Sequence, residues 1–135
     1  MPHIVFEITP VLAQAMELKG LLRSIHEGFA QRGYASAAAL RSRVVISDVA
    51  LSGTDENEQL VIATMRTTVP RPAEIEQAMA RYLHDAIVQA IAASAFDGPW
   101  QCGVFRQAVP GELFIKSNGR GKTAPADESP DRSPI

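Results

Sequence analysis

The sequence predicts an α+β fold, a two-layer sandwich in which a four-stranded sheet carries two helices on one face. Strand-length apolar runs and two longer runs of helical spacing follow each other in the order β-α-β-β-α-β. A strand, a helix and a strand of one sheet imply a right-handed parallel crossover, and two such units build this sandwich. The two halves look like a structural duplication.

The first unit begins with residues 3–9, which are rich in β-branched and aromatic side chains and are closed by Pro10. Gly33 ends the helix that follows. The apolar residues of this helix recur at helical spacing, at Leu18, Leu21, Leu22, Ile25 and Phe29. Residues 40–49 form the second strand, which is centred on three consecutive β-branched residues.

The second unit contains a polar loop, a strand, a helix, a turn that ends the helix, a fourth strand and a short fifth strand. The polar loop is assigned to residues 52–58 and the strand after it to residues 60–67. The turn that ends the helix is assigned to residues 97–99, the fourth strand to residues 100–108 and the short fifth strand to residues 113–115. Pro72 suits the first turn of the helix, and Glu74 and Glu76 suit the positive end of the helix dipole.

One domain accounts for residues 1–118, because a chain of 135 residues is too short for two ordinary domains. The polar segment 119–135 is expected to be a disordered tail. A net charge of −2 argues against a nucleic-acid partner. Neither a signal peptide nor a membrane-spanning run is present, and the single cysteine cannot form an internal disulfide. We therefore expect a soluble cytoplasmic protein with no membrane partner.

The second face of the predicted sheet has no helix to cover it. In the first strand, apolar residues alternate with His3, Val5 and Glu7, so both faces of the sheet carry apolar side chains. An uncovered apolar face usually packs against a partner subunit. The number and order of the elements therefore predict an oligomer.

Most standard catalytic and metal-binding motifs are missing. The sequence has no paired cysteines, no His-x-x-x-His, no Gly-x-Ser-x-Gly and no phosphate-binding glycine loop. His3, His26 and His84 lie on separate elements without the spacing of metal ligands, so no metal is expected. Cys102 lies in a predicted strand, where a buried structural thiol is expected rather than a nucleophile.

Pro2 is a candidate general base, because removal of Met1 by methionine aminopeptidase would leave its secondary amine at the start of the first strand. An α-amino group titrates at about 7.7–8.0, and burial and nearby arginines lower that pKa because both disfavour the ammonium form. A base tuned in this way contributes roughly 10²–10⁴ to a rate. Taken alone, Pro2 is better explained as an ordinary second residue, and its role as a base depends on the arginines that accompany it.

Three arginines are candidate substrate-binding residues. Arg41 and Arg43 are two residues apart in the second strand and therefore share one face of the sheet. Arg71 precedes the second helix, whose N-terminal amides also favour an anion. Because guanidinium groups bind carboxylates in a bidentate manner, the three favour a substrate with more than one carboxylate. Alternatively, Arg41 and Arg43 pair with Asp48, with Glu7 or with a neighbouring subunit.

Together, these features resemble the 5-carboxymethyl-2-hydroxymuconate isomerase family of the tautomerase superfamily. The resemblance covers roughly residues 2–118. It is carried by Met1-Pro2-His3-Ile4-Val5-Phe6-Glu7, Leu18-Lys19-Gly20-Leu21-Leu22, Leu40-Arg41-Ser42-Arg43-Val44 and Leu113-Phe114-Ile115-Lys116-Ser117-Asn118. The chain departs from the family pattern at residues 34–39, 59–63 and 117–120, which leaves the exact substrate open.

The resemblance implies a tautomerase-like homotrimer with active sites at subunit boundaries and no cofactor or metal. It implies that Pro2 moves a proton within a dienoic di- or tricarboxylate and converts 5-carboxymethyl-2-hydroxymuconate to its 2-oxo isomer. This reaction belongs to the catabolism of 4-hydroxyphenylacetate through homoprotocatechuate. Arg41 matches the family's carboxylate-binding arginine, and Arg71 matches an arginine that opens the second helix.

Two other functions remain open from the sequence. A tautomerase for another 2-oxo acid would keep the proline base and change the substrate. A non-catalytic trimeric paralogue would keep Met1 or leave Pro2 outside any pocket.

Overall fold

The computed structural model describes residues 2–122 and contains one four-stranded sheet with its helices packed on one face. The strands are β1 (His3–Ile8), β2 (Arg41–Ile46), β3 (Gln59–Thr67) and β4 (Trp100–Ala108). The α-helices are α1 (Pro10–Ala15), α2 (Leu18–Gln31) and α3 (Ala73–Ala93), and short 3₁₀ helices cover Ala37–Ala39 and Gly111–Leu113.

The strand order is β2-β1-β3-β4, and the pairing is mixed. The pairs β1–β2 and β3–β4 are parallel, as the two predicted β-α-β units require, and the central pair β1–β3 is antiparallel. The predicted two-layer fold is therefore confirmed. Within residues 2–122, no helix is both long enough and apolar enough to cross a membrane. From residue 123 onward, the predicted tail lies outside the described residues.

The core lies between the sheet and the two long helices. Alternate residues of β1 and β3 point into it, which is the period-two pattern of a sheet with one covered face. Helices α2 and α3 contribute buried residues at the same four-residue spacing, namely Leu21, Ile25 and Phe29 in α2 and Met79, Leu83 and Ile87 in α3. Full burial of each such side chain stabilises the fold by about 1.5–3 kcal/mol. The matching spacing is consistent with a duplication of the two halves.

Helix α2 ends at the glycine that the sequence indicates. Gly33 has a positive φ of 74°, which costs least for a residue without Cβ. The amide of Tyr34 donates to the carbonyl of Phe29 at 2.9 Å, and the amide of Gly33 donates to that of Ala30 at 3.1 Å. These two bonds are a Schellman motif, and they direct the chain toward β2.

The structure adds one element to the prediction and contradicts another. Pro10 does not only close β1: it also begins the short helix α1, because its missing N–H is not needed in a first turn. The predicted fifth strand at residues 113–115 is instead the end of a 3₁₀ helix followed by irregular chain. Leu113 and Ile115 are exposed there, and none of the described strands pairs with this segment.

The other face of the sheet, which we call the open face, is not covered by any described α-helix. Its residues, by strand alternation, are His3, Val5, Glu7, Arg41, Arg43, Val45, Leu60, Ile62, Thr64, Arg66, Gln101, Gly103, Phe105 and Gln107. Phe105 is 66% exposed and Val45 is 48% exposed. This face therefore combines apolar side chains with arginines in a single chain.

Candidate active site

The predicted base lies at the end of the sheet where β1 and β2 begin and β3 and β4 end, which we call the Pro2 end. Pro2 is buried, and its carbonyl accepts a hydrogen bond from the amide of Arg41 at 3.2 Å. His3 pairs with Arg66 in the β1–β3 register, so the next two positions, Pro2 and Thr67, face each other. The structure thus places Pro2 in a protected position beside the first residue of β2.

A cavity of about 510 Å³ opens on the open face at the Pro2 end. It is lined by His3, Arg43, Arg66, Thr68, Gln107, Val109, Leu113 and Phe114. Arg66 Nε donates to Gln107 Oε1 at 2.8 Å, and Arg43 Nη1 lies 3.5 Å from His3 Nδ1. Neither guanidinium has a carboxylate partner among residues 2–122. The open-face cavity can therefore bind an organic anion between two arginines.

His3 is a neutral imidazole in this cavity near neutral pH. Its pKa is lowered from the usual 6.5, first by burial and then by the positive charges of Arg43 and Arg41. The ring of Phe114 packs edge-on against it, with 5.3 Å between the ring centroids. His3 Nε2 is buried and has no hydrogen-bond partner among the described residues. A ligand in the cavity would thus meet a neutral imidazole between cations.

Arg41 and Arg43 share the open face as predicted, but their guanidinium groups have different surroundings. In β2 they lie opposite His3 and Val5 of β1. Arg41 Nη1 donates to the carbonyl of Ala38 at 2.7 Å and to that of Leu40 at 3.0 Å. Of the two, only Arg43 lines the open-face cavity. The sequence also allowed ion pairs with Asp48 or Glu7, but neither arginine forms one.

Arg71 lies on the helix side of the Pro2 end, away from the open-face cavity. Its Nη1 donates to the carbonyl of Val69 and its Nη2 donates to that of Tyr34, each at 3.1 Å. The same Nη1 lies 3.8 Å from Glu76 Oε2. The structure therefore divides the three predicted arginines between two sides of the sheet.

Arg66, Gln107 and Phe114 line the cavity although the sequence pattern did not indicate a role for them in the site, and His3 was considered there only as a metal ligand. Arg66 occupies the penultimate position of β3 and Gln107 that of β4, directly opposite each other. A pattern signal existed, since Arg66 alternates with the apolar core residues of its strand. Only the antiparallel pairing of β1 with β3 places Arg66 opposite His3 at the Pro2 end of the sheet.

The remaining candidates fit structural roles. Burial raises the pKa of the Cys102 thiol to about 11, so this residue is mostly protonated at neutral pH, as expected of a structural cysteine. His26 Nε2 lies 2.7 Å from Ser42 Oγ, and His84 Nδ1 lies 2.9 Å from Asp85 Oδ1. Among residues 2–122, no three His, Cys, Asp or Glu side chains are grouped so that they could hold a metal ion.

Comparison with known proteins identifies a matching family and proteins of similar fold. A sequence model of the 5-carboxymethyl-2-hydroxymuconate isomerase family matches residues 2–99. A 5-carboxymethyl-2-hydroxymuconate isomerase from Deinococcus radiodurans has a similar structure, with a TM-score of 0.74, 17% identity and coverage of 87% of this chain and 90% of that chain. A comparison with curated protein sequences gives no significant match.

Two further structures are similar. A 5-carboxymethyl-2-hydroxymuconate delta-isomerase has a TM-score of 0.75 at 11% identity, with 88% of this chain and 89% of that chain covered. A fused 4-OT, described as a symmetric trimer, has a TM-score of 0.61 at 18% identity, with 87% and 94% covered. At these identities, the structural likeness shows the fold.

Proposed function

The chain belongs to the 5-carboxymethyl-2-hydroxymuconate isomerase family and is an isomerase of the tautomerase superfamily, and on that premise we propose that Pro2 is its general base. The proposed reaction converts 5-carboxymethyl-2-hydroxymuconate to its 2-oxo isomer. The observation that carries this proposal is the position of Pro2, which is buried at the end of the sheet where Arg43 and Arg66 line a cavity.

The base would be the secondary amine of Pro2 after removal of Met1. A buried amine is harder to protonate than an exposed one, because the ammonium form loses its hydration. The backbone contact with Arg41 brings a cationic residue next to Pro2, and a nearby positive charge lowers the pKa of the amine further. We therefore expect a substantial unprotonated fraction at neutral pH, as a general base requires.

The proposed reaction needs only a proton transfer. The Pro2 nitrogen accepts the proton of the 2-hydroxyl group, the C–O bond becomes a C=O bond, and the carbon–carbon double bonds shift along the chain. The protonated amine then returns a proton to carbon at the far end of the shifted system. Substrate and product have the same atoms and electrons, so the proposal includes no cofactor and no metal.

The substrate carboxylates would be held by arginines from the open face. Arg43 and Arg66 line the cavity, and each has guanidinium nitrogens available for a bidentate contact. Arg41 retains Nε and Nη2 for a carboxylate, because its two hydrogen bonds both use Nη1. Arg71 remains in the proposal as a cation near Pro2, although protein groups already occupy both of its terminal nitrogens.

We propose a homotrimer in which the open face packs against neighbouring copies. The trimeric state of the fused 4-OT supports this assembly, and so do the exposed Val45 and Phe105. Active sites at subunit boundaries would then combine Pro2 of one copy with side chains of the next. Light scattering coupled to size-exclusion chromatography measures the mass directly, and a monomer at micromolar concentration would contradict this assembly.

The decisive experiment is turnover of 5-carboxymethyl-2-hydroxymuconate by the native protein and by a variant with one alanine inserted between Met1 and Pro2. The insertion turns the Pro2 amine into an amide that has no basicity, so we expect activity to fall by at least about 10²-fold. Intact mass determines whether the native protein has lost Met1, as the proposal requires. Equal activity of the two proteins would exclude Pro2 as the base.

A tautomerase for another 2-oxo acid is the second candidate. It is favoured by Arg71, whose two terminal nitrogens already donate to backbone carbonyls and leave this arginine few donors for a further carboxylate. A panel of enolised 2-oxo acids with one, two or three carboxylates separates the candidates. Higher kcat/KM for the smaller acids would replace the first proposal with the second.

A further inference from the structure

A buried carboxylate lies on the helix side of the Pro2 end, and the reaction proposed above assigns it no role. Glu76 is only 8% exposed, in the first turn of α3. Its Oε2 accepts a hydrogen bond from Thr67 Oγ1 at 3.0 Å and lies 3.8 Å from Arg71 Nη1. A carboxylate is rarely buried without such partners, so these three residues form one unit, which we call the buried ion pair.

Arg71 connects the buried ion pair to the chain segments on both sides of the start of β1. The residue follows β3 in the chain, and its Nη2 donates to the carbonyl of Tyr34 in the loop that leads into β2. In the sheet, β1 lies between β2 and β3. The guanidinium therefore bridges the two segments that flank the first residues of β1, where Pro2 is buried.

Thr67 provides a second link between the buried ion pair and Pro2. In the antiparallel register, Thr67 is the residue that faces Pro2, and directly opposed residues have Cβ atoms about 4.5–5.5 Å apart. Both residues are buried, on the face of the sheet that the helices cover. The Glu76 carboxylate is thus hydrogen-bonded to Thr67, the residue that lies opposite Pro2 on the neighbouring strand.

We propose that Glu76 is a positioning residue for the Pro2 amine: it holds the Arg71 guanidinium across the start of β1 and offsets its charge there. This inference rests on the proposed function, because it requires a free amine at Pro2. A cation near an amine disfavours the ammonium form and a carboxylate favours it. The other charged and titratable groups at this end of the sheet include Arg41, Arg43, Arg66 and the neutral His3 on the open face. On the helix side, Arg106 of β4 donates from Nη1 to the carbonyl of Ala73 at the start of α3, 3.2 Å away.

Three variants test this inference through the pKa of the Pro2 amine. The two single substitutions should shift it in opposite directions, and the double substitution should cancel the shifts. Glu76→Gln keeps an oxygen acceptor for Thr67 and removes the negative charge, so the pKa of the Pro2 amine should fall by about one unit. Arg71→Met removes the positive charge and leaves the carboxylate uncompensated, so this pKa should rise by about one unit. The double variant, Glu76→Gln with Arg71→Met, should return close to the native value.

Glu74→Gln is the matched control. Glu74 lies in the same first turn of α3 and is exposed, so its removal changes the net charge by the same amount in solvent-screened surroundings. We expect no resolvable change in the pKa of the Pro2 amine in this variant. Arg71→Lys, which keeps the positive charge, should stay closer to the native value than Arg71→Met.

The measurement is an NMR titration of the full chain labelled with ¹⁵N-proline. After loss of Met1, the nitrogen of Pro2 is an amine, whereas the nitrogens of the other prolines are in peptide bonds and do not titrate. The signal therefore reports the Pro2 amine directly, and the titration needs no substrate and does not depend on catalysis. The proposal is supported if Glu76→Gln and Arg71→Met shift the pKa in opposite directions. It is overturned if neither variant differs from Glu74→Gln, or if both shift in the same direction. If one of these two variants does not fold, the shift of the other relative to Glu74→Gln decides: a shift in the expected direction supports the proposal, and no shift or a shift in the opposite direction overturns it.

Activity assays distinguish the failure of this inference from the failure of the proposed function. Opposite pKa shifts without turnover of 5-carboxymethyl-2-hydroxymuconate would uphold the inference and overturn the proposed substrate. Turnover that depends on a free Pro2 amine, without any pKa shift in these variants, would overturn the inference and leave Pro2 as the base. An intact mass that includes Met1 would overturn both.

Discussion

The contact between α2 and α3 allows a sharp test of how closely the two helices are packed. A Cβ atom added at Gly28 of α2 would lie 1.7 Å from Tyr82 Oη and 2.4 Å from Tyr82 Cζ. The Tyr82 ring also packs against Phe29, with 5.8 Å between ring centroids, and lies 4.2 Å from the guanidinium carbon of Arg32. Gly28→Ala therefore requires the Tyr82 ring to move and to weaken both contacts.

The magnitude follows from two opposing effects. Overpacking of this kind costs about 1–3 kcal/mol, because the displaced ring loses its aromatic and cation contacts. The higher helix propensity of alanine returns about 1 kcal/mol. We expect Gly28→Ala to lower the free energy of unfolding by about 1 kcal/mol, the difference between these effects.

The assay is equilibrium urea unfolding, with Gly20→Ala as the matched control in the same helix. A Cβ at Gly20 would meet only the flexible, exposed side chain of Glu17, with its Cγ at 3.3 Å. This control should be neutral or stabilised by up to about 1 kcal/mol. If Gly28→Ala were as stable as Gly20→Ala, the argument that Tyr82 fills the space above Gly28 would be refuted.

Three further predictions concern the site and its surroundings. Arg43→Ala should lower kcat/KM by roughly 10–10²-fold through loss of a charged hydrogen bond, and unchanged kinetics would remove Arg43 from the site. Because the pKa of His3 is lowered in the folded state, the unfolded chain binds the extra proton more readily, and stability should fall as pH drops below about 6.5. The replacement His3→Asn should flatten that slope in pH-dependent unfolding, and an unaltered slope would contradict the assignment. Cys102, with a pKa of about 11, should react with iodoacetamide far more slowly at pH 8 than a free thiol, and fast alkylation of the folded protein would show the thiol to be accessible.

The elements of this fold could be predicted because their signals are local. The buried positions of α2 and α3 recur within one or two turns. The end of α2 is closed by hydrogen bonds from Gly33 to Ala30 and from Tyr34 to Phe29, which span three and five positions. The predicted fourth strand matches Trp100–Ala108 in both bounds. Pro2 and the arginine pair of β2 were likewise visible as residue types at strand starts.

The prediction of a fifth strand was wrong for a reason that cannot be read from a local pattern. Leu113, Phe114 and Ile115 form a short apolar run of the kind found in strands, but a strand also needs a partner for its backbone hydrogen bonds. No described strand of the same chain pairs with this segment. Its Phe114 packs instead against His3 and closes one wall of the open-face cavity.

Local patterns therefore specify the four strands, the two long helices and a candidate base next to basic residues, because each depends on side chains a few positions apart. The pairing of β1 with β3, the position of Arg66 opposite His3 with Gln107 beside it, and the contacts of Arg71 with Glu76 and Tyr34 come from the tertiary structure alone. Several strand orders and registers are compatible with the same local propensities. The choice among them is made by burial of the whole apolar face and by the satisfaction of backbone and charged groups at the ends of the sheet.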